Sequence, residues 1–247
     1  GAGGNAVSGG ARFNINGAGS SATIDTMAHS TIAFGGDGGA GGNGTTATGG
    51  GPGGSGGNGG NAVPAGSAEI IVENGANAAI LAGPDGVPFV VEGYSLGGNG
   101  GLAGLGTDTG TDGNAGTGGA AVGSTILVSV DNATLFFNRF TADSSAYGGG
   151  YNLPAANFAQ GGSGDGTGGS ASIFVDNGSF TSTRTTLDVR GFGGDGHGGT
   201  GASGGDGTGG LATIEVFGAS TLFAGGPLEA RASGAGGTGG SSNAAAG

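Results

Sequence analysis

The chain has no cysteine, no tryptophan and no lysine, and its only cations besides two histidines are five arginines, set against seventeen acidic residues. The absence of cysteine excludes disulfide frameworks, thiolate zinc sites and thiol catalysis together. The missing lysines and a net charge of −12, with an isoelectric point near 4.1, exclude the basic field that draws proteins to phosphate backbones or anionic lipids, so no nucleic-acid partner is expected. No apolar run approaches the ~20 residues of a membrane span. The opening "GAGGNAVSGG" lacks the charged start and apolar core of a signal peptide, so an export signal is expected to lie outside this sequence or to have been removed.

What is present is glycine, 71 of 247 residues. That level fits a flexible linker, which stays disordered because it buries too little apolar surface to offset chain entropy. Here, however, 34% of residues are hydrophobic, and they are gathered in short blocks. Aligned on their apolar cores, the blocks are "ARFNING" from Ala11, "AEIIVENG" from Ala68, "ILVSVDN" from Ile126, "ASIFVDNG" from Ala171 and "ATIEVFG" from Ala212. Their matching positions Ile15, Val72, Val130, Val175 and Val216 are separated by 57, 58, 45 and 41 residues. Such a period marks a repeat array, with units at approximately 8–60, 61–119, 120–169, 170–210 and 211–247.

Within each unit apolar and polar residues alternate with the period of a β-strand. Ile173 and Val175 share one face and Phe174 and Asp176 the other, and Asn177-Gly178 supplies turn chemistry that tolerates positive φ. Leu187 and Val189 alternate with Asp188 and Arg190 in the same way. Two or three short strands with one apolar face cannot form a core alone and must stack on neighbours. The fold expected is therefore all-β, a repeat β-solenoid of β-helix type, with Phe13, Phe34, Phe136, Phe174, Phe180 and Phe223 filling its wider parts. The alternative is a β-sandwich with long glycine-rich loops.

The glycine tracts have a period of their own. From Gly35 the chain runs GGD-GGA-GGN, and from Gly50 GGP-GGS-GGN-GGN. Period three belongs to the polyproline II helix, whose bare glycine edges allow backbones to pack side by side. The tracts are expected to form a packed polyglycine II layer along the strands, with "TTAT" at 45–48 as a reversal.

The segments "TGGSASIFVDNGSFTSTRTTLDVRGFGGDGHGGTG" and "GGDGTGGLATIEVFGASTL" resemble the glycine-rich β-strand repeats of large bacterial surface exoproteins of the autotransporter and filamentous-haemagglutinin-like kind. The resemblance covers all five units. "GGAGGNG" is shared with glycine-rich mycobacterial surface proteins, which lack the alternating strands, and the three-residue period with springtail antifreeze proteins, which carry cysteine. The first resemblance implies export, an elongated rod at the cell surface, and a role in adhesion, matrix or filament formation. "GGNAVSGGARF" at the start is similar to "GGNAVPAGSAE" at 59–69, so both ends are expected to be uncapped and satisfied by covalent continuation or head-to-tail self-association.

No catalytic, cofactor or metal site is expected. "GGSGDGTGG" around Asp165, and the tracts at Asp195 and Asp206, approach a nonapeptide calcium pattern but are one residue short before the acid and have glycine at the aliphatic position. Those acids are expected to solubilise glycine edges. His29 and His197 stand alone and are expected at the surface. Asp188 with Arg184 and Arg190 is the one acid and base cluster on an outer strand face, and it is expected to be a set of cross-strand ion pairs. A polysaccharide-degrading enzyme would need several carboxylates and aromatic platforms, and this chain has three tyrosines. Binding to ice or glycans through Thr181, Thr183, Thr185 and Thr186 is a further alternative, although these threonines do not recur in the other units. Surface glycans are possible partners.

Overall fold

The structure is a computed structural model that describes residues 1–45, 50–64, 66–81, 89–107, 110–150, 162–196 and 202–239. It contains strands and no helix among the described residues, and every strand pairing is parallel. The first sheet has the order β1 (Ala11–Asn16), β5 (Ser67–Glu73), β10 (Thr125–Asp131), β14 (Ser170–Asp176) and β18 (Leu211–Phe217). These are the five aligned blocks, one strand from each. Ile15, Val72, Val130, Val175 and Val216 lie side by side in that register.

Each of these strands ends at a residue in the left-handed region, namely Gly17 (φ 106°), Asn74 (58°), Asn132 (45°), Asn177 (46°) and Gly218 (61°). Glycine and asparagine are the residues that enter this region at least cost. The turn delivers the chain into an eight-stranded sheet of β2 (Ser21–Ile24), β3 (His29–Ser30), β6 (Asn77–Ile80), β7 (Phe89–Glu92), β11 (Thr134–Asp143), β15 (Ser179–Asp188), β19 (Thr221–Ala224) and β20 (Leu228–Arg231). Two smaller sheets complete the set. One holds β4 (Ala33–Phe34), β8 (Ser95–Leu96), β12 (Ala146–Tyr147), β16 (Gly191–Phe192) and β21 (Gly234–Ala235); the other holds β9 (Ala121–Val122), β13 (Gly166–Thr167) and β17 (Gly207–Thr208).

The eight-stranded sheet bends because its alternation slips. In β11 Leu135 and Phe137 point inward, then Phe140 and Ala142, with a three-residue step between Phe137 and Phe140. β15 makes the same step from Ser182 to Thr185. At this corner the strand is interrupted in the first, second and fifth units, so β11 pairs β6 as far as Phe137 and β7 from Phe140, while β15 pairs β19 as far as Ser182 and β20 from Thr185. The sheet therefore forks and curls like half a barrel.

The fold class expected from the sequence is corrected by this topology. The strands sort into four separate parallel sheets of the kind otherwise found in α/β proteins, one of them forked and curled, and not into a plain all-β solenoid. Alternation shows which residues face inward; it is silent on how strands of unequal length divide among sheets. The sandwich alternative of antiparallel sheets fails because every pairing is parallel. The glycine tracts run on from the two smallest sheets, since the bonding of β8 to β12 continues into Gly97 N–H to Tyr147 O at 2.9 Å and that of β12 to β16 into Gly148 N–H to Phe192 O at 2.7 Å.

Tract glycines bond across the molecule. Gly60 donates to Gly36, Gly98 to Gly60, Gly119 to Gly98, Gly149 to Gly119, Gly164 to Gly149, Gly194 to Gly164 and Gly205 to Gly194, at 2.7–3.0 Å, alternating between tracts that enter a unit and tracts that leave one. The longer tracts of the first units add two further ladders three residues along, through Gly57 and Gly101 and through Gly54 and Gly104. This is why those units are longer. Glycine is required here for close approach: a Cβ on Gly164 would fall on the carbonyl oxygen of Gly119. The expected reversal at 45–48 lies outside the described residues from Thr46 onward.

The core lies between the first sheet and the curled one. Phe89, Phe137, Phe140 and Phe180 are fully buried in it, with Phe137 stacked on Phe140 at 4.7 Å between centroids. Of the phenylalanines expected inside, Phe180 is buried and Phe13 packs against the core edge, whereas Phe34, Phe174 and Phe223 are exposed. The three-residue step places Phe137 and Phe140 inside and Phe136 outside.

Candidate functional site

Four of the five arginines gather on the outer face of the curled sheet and the strand that continues from it. Arg139 on β11 and Arg184 on β15 are direct register partners at the corner, where adjacent strands run ~4.8 Å apart. Arg184 Nη2 donates to Glu229 Oε1 at 2.9 Å, and Arg231 Nη2 to Glu229 Oε2 at 2.6 Å. The hydrogen bond from Arg231 holds the Glu229 carboxyl below its ordinary range. Asp188 is buried and gripped bidentately by Arg190, through Nε at 2.7 Å and Nη2 at 2.6 Å, with Ser145 Oγ donating at 3.2 Å and the Arg231 guanidinium forming a looser ion pair at 3.8 Å. Arg190 in turn lies 5.2 Å over Phe192, which stacks on Tyr147 at 4.8 Å. Burial, and then the Asp143 carboxylate, pushes the Tyr147 phenol up.

Asp188 and Arg190 therefore meet as expected from their spacing, but Arg184 reaches Asp188 only through Glu229 and Arg231. A carboxylate held by a guanidinium fork and a serine is not free to abstract a proton. Sequence reasoning missed Arg139, Arg231 and Glu229. The signal for Arg139 was present: it follows the turn residue Asn132 by seven positions, as Arg184 follows Asn177.

A cavity of about 200 Å3 opens at the corner, lined by Arg139, Arg184, Arg231, Thr141, Thr186 and Asp143 among others. Among the described residues Arg139 is in no ion pair, although it borders this cavity.

The remaining expected residues fall elsewhere. His29 is buried, not at the surface as expected, because β3 turns it inward, and its Nε2 has no hydrogen-bond partner. Burial lowers its pKa, opposed by the main chain of Glu69 and Ala11. His197 lies outside the described residues. Asp165 and Asp195 accept bonds from the neighbouring tract, from Asp206 N–H at 2.8 Å and from Thr238 N–H at 2.8 Å. Asp37, Asn58 and Asn61 accept in the same way from Asn99, Thr117 and Ala120. At these triplets the polar residue thus satisfies an amide that no tract carbonyl reaches, a role beyond solubilising an edge. No cluster of three metal-ligating side chains occurs among the described residues. Thr181 lies between Phe136 and Phe223, and Thr185 between Phe140 and Leu228, so these positions form no threonine ladder.

No known protein family, curated protein or solved structure matches the chain.

Proposed function

We propose that the protein is a structural repeat protein of the extracellular space or cell surface, which builds a rod or filament with an adhesive or matrix role and carries no catalytic activity. The observation that carries this reading is the state of the two outermost edges. Val175, within the first sheet, is fully buried, whereas its counterpart Val216 on β18 is 44% exposed. Around Val216, Leu211 (64% exposed), Phe217, Phe223 and Leu228 form an apolar end with unpaired strand edges. The opposite edge, β1, pairs among the described residues only with β5. Both edges are parallel and carry the same register, so each is the natural partner of the other. Such contact is heterologous and does not close, which gives a filament. Covalent continuation of the array would satisfy the edges equally well. The resemblance to bacterial surface repeats supports the extracellular placement.

Sedimentation and negative-stain imaging of the purified chain test the reading. Concentration-dependent linear oligomers are expected at micromolar protein, and Val216→Lys with Phe217→Glu is expected to abolish them without unfolding the chain. A species that stays monomeric at 100-fold higher concentration would exclude end-to-end self-assembly.

A further inference from the structure

We propose that the corner cavity in front of Arg139 and Arg184 is a binding site for a sugar acid, with the two arginines holding its carboxylate. Like charges directly opposite on neighbouring strands are unfavourable. Arg139 and Arg184 are such a pair, in a chain whose acids outnumber its cations by seventeen to five. Glu229 answers Arg184, and among the described residues no carboxylate forms an ion pair with Arg139. An anion in the cavity would bridge the two. Guanidinium forks are matched to planar carboxylates, which accept two parallel N–H bonds.

The rest of the lining narrows the ligand. Thr141 and Thr186 offer hydroxyls, and Asp143 offers a carboxylate acceptor, beside the arginines. Donors and acceptors mixed at this density suit a group whose carboxylate is surrounded by hydroxyls, which is a uronic-acid type of sugar. The volume of about 200 Å3 is below the ~300–1,000 Å3 of drug-sized sites and holds one such unit. The net charge of −12 repels polyanions at long range, so the site takes a single charge on an otherwise neutral carrier. This inference is independent of end-to-end assembly.

Binding of sodium glucuronate to the full chain, followed by NMR titration, tests it, with glucose and sodium acetate as the neutral and hydroxyl-free counterparts. Glucuronate is expected to bind at least about tenfold more tightly than either. Arg139→Gln is expected to lose that preference while its unfolding temperature stays at or above that of the native chain, and Arg12→Gln to leave binding unchanged. Thr141→Val, which removes a hydroxyl and no charge, is expected to narrow the gap between glucuronate and acetate. Equal binding of glucuronate and glucose, equal binding of glucuronate and acetate, or native affinity in Arg139→Gln would overturn the proposal.

Discussion

Val175 and Gly164 are eleven residues apart and both buried, for opposite reasons. Val175 sits between Val130 and Val216 and contributes by removing apolar surface from water, roughly 1.5–3 kcal/mol for a side chain of that kind. Gly164 has no side chain to bury. Its N–H donates to Gly149 and its carbonyl accepts from Gly194, at 2.8 and 3.0 Å. Ordering a glycine costs on the order of 0.5–1 kcal/mol more than ordering alanine, and a main-chain hydrogen bond contributes about 0.5–1.5 kcal/mol net. The tract region is therefore close to balance residue by residue. It holds because many bonds form together and because the sheets fix where each tract begins.

The largest effect is expected in the core. Phe137→Ala should cost about 3–5 kcal/mol in chemical denaturation, because the cavity opens among Phe89, Phe140 and Phe180. Its neighbour Phe136, facing outward, should cost less than about 1 kcal/mol as alanine. Equal losses would mean that the three-residue step in β11 is absent. In the tracts the sign reverses, since adding atoms is what harms. Gly164→Ala should destabilise by about 3 kcal/mol as the methyl meets the Gly119 carbonyl. Gly162→Ala, whose added carbon would find only ordinary contacts, should be neutral within about 1 kcal/mol. Smaller again is the polar triplet position. Asp165→Ala should cost about 1 kcal/mol by freeing the Asp206 amide, and Asp165→Asn, which keeps an acceptor oxygen, should cost little.

The smallest effect at neutral pH is that of His29. Burial favours its neutral form, so its folded pKa lies below the ordinary 6.5 and the unfolded chain takes up the proton first. Its contribution is constant above pH 6.5 and is lost as pH falls below that value toward the folded pKa. Unfolding profiles of the native chain and His29→Gln should converge in slope at high pH and separate on acidification. Identical profiles down to pH 5 would place His29 in water.

These contrasts also show which features can be read from sequence. The alignment of Ile15 with Val72, Val130, Val175 and Val216 was legible because alternation and turn residues repeat together, and Asn74, Asn132 and Asn177 mark where the backbone turns left-handed. The division into four sheets was not legible, because β11 and β15 each span two shorter strands and nothing in an apolar pattern declares a fork. Phe137 and Phe140 escaped for a related reason: a strict period of two cannot place both inside. The arginine corner was half visible. Asp188 and Arg190 were linked by their spacing, whereas Arg231 and Glu229 reach the cluster only through the pairing of β20 with β15. The triplet acids looked like surface charge because their acceptors act on another tract, about 41–62 residues away in sequence.

Hydrogen exchange at the glycine amides tests the central claim most directly, since it reports on main-chain bonds without altering them. If the tracts are ordered by the ladder through Gly98, Gly119, Gly149 and Gly164, these amides should exchange at least about a thousandfold more slowly than in an unfolded chain, an opening free energy on the order of 4 kcal/mol. Gly42, whose N–H has no main-chain partner among the described residues, should exchange fast. Ladder amides exchanging as fast as that of Gly42, while the amides of β10 and β14 stay protected, would contradict the account.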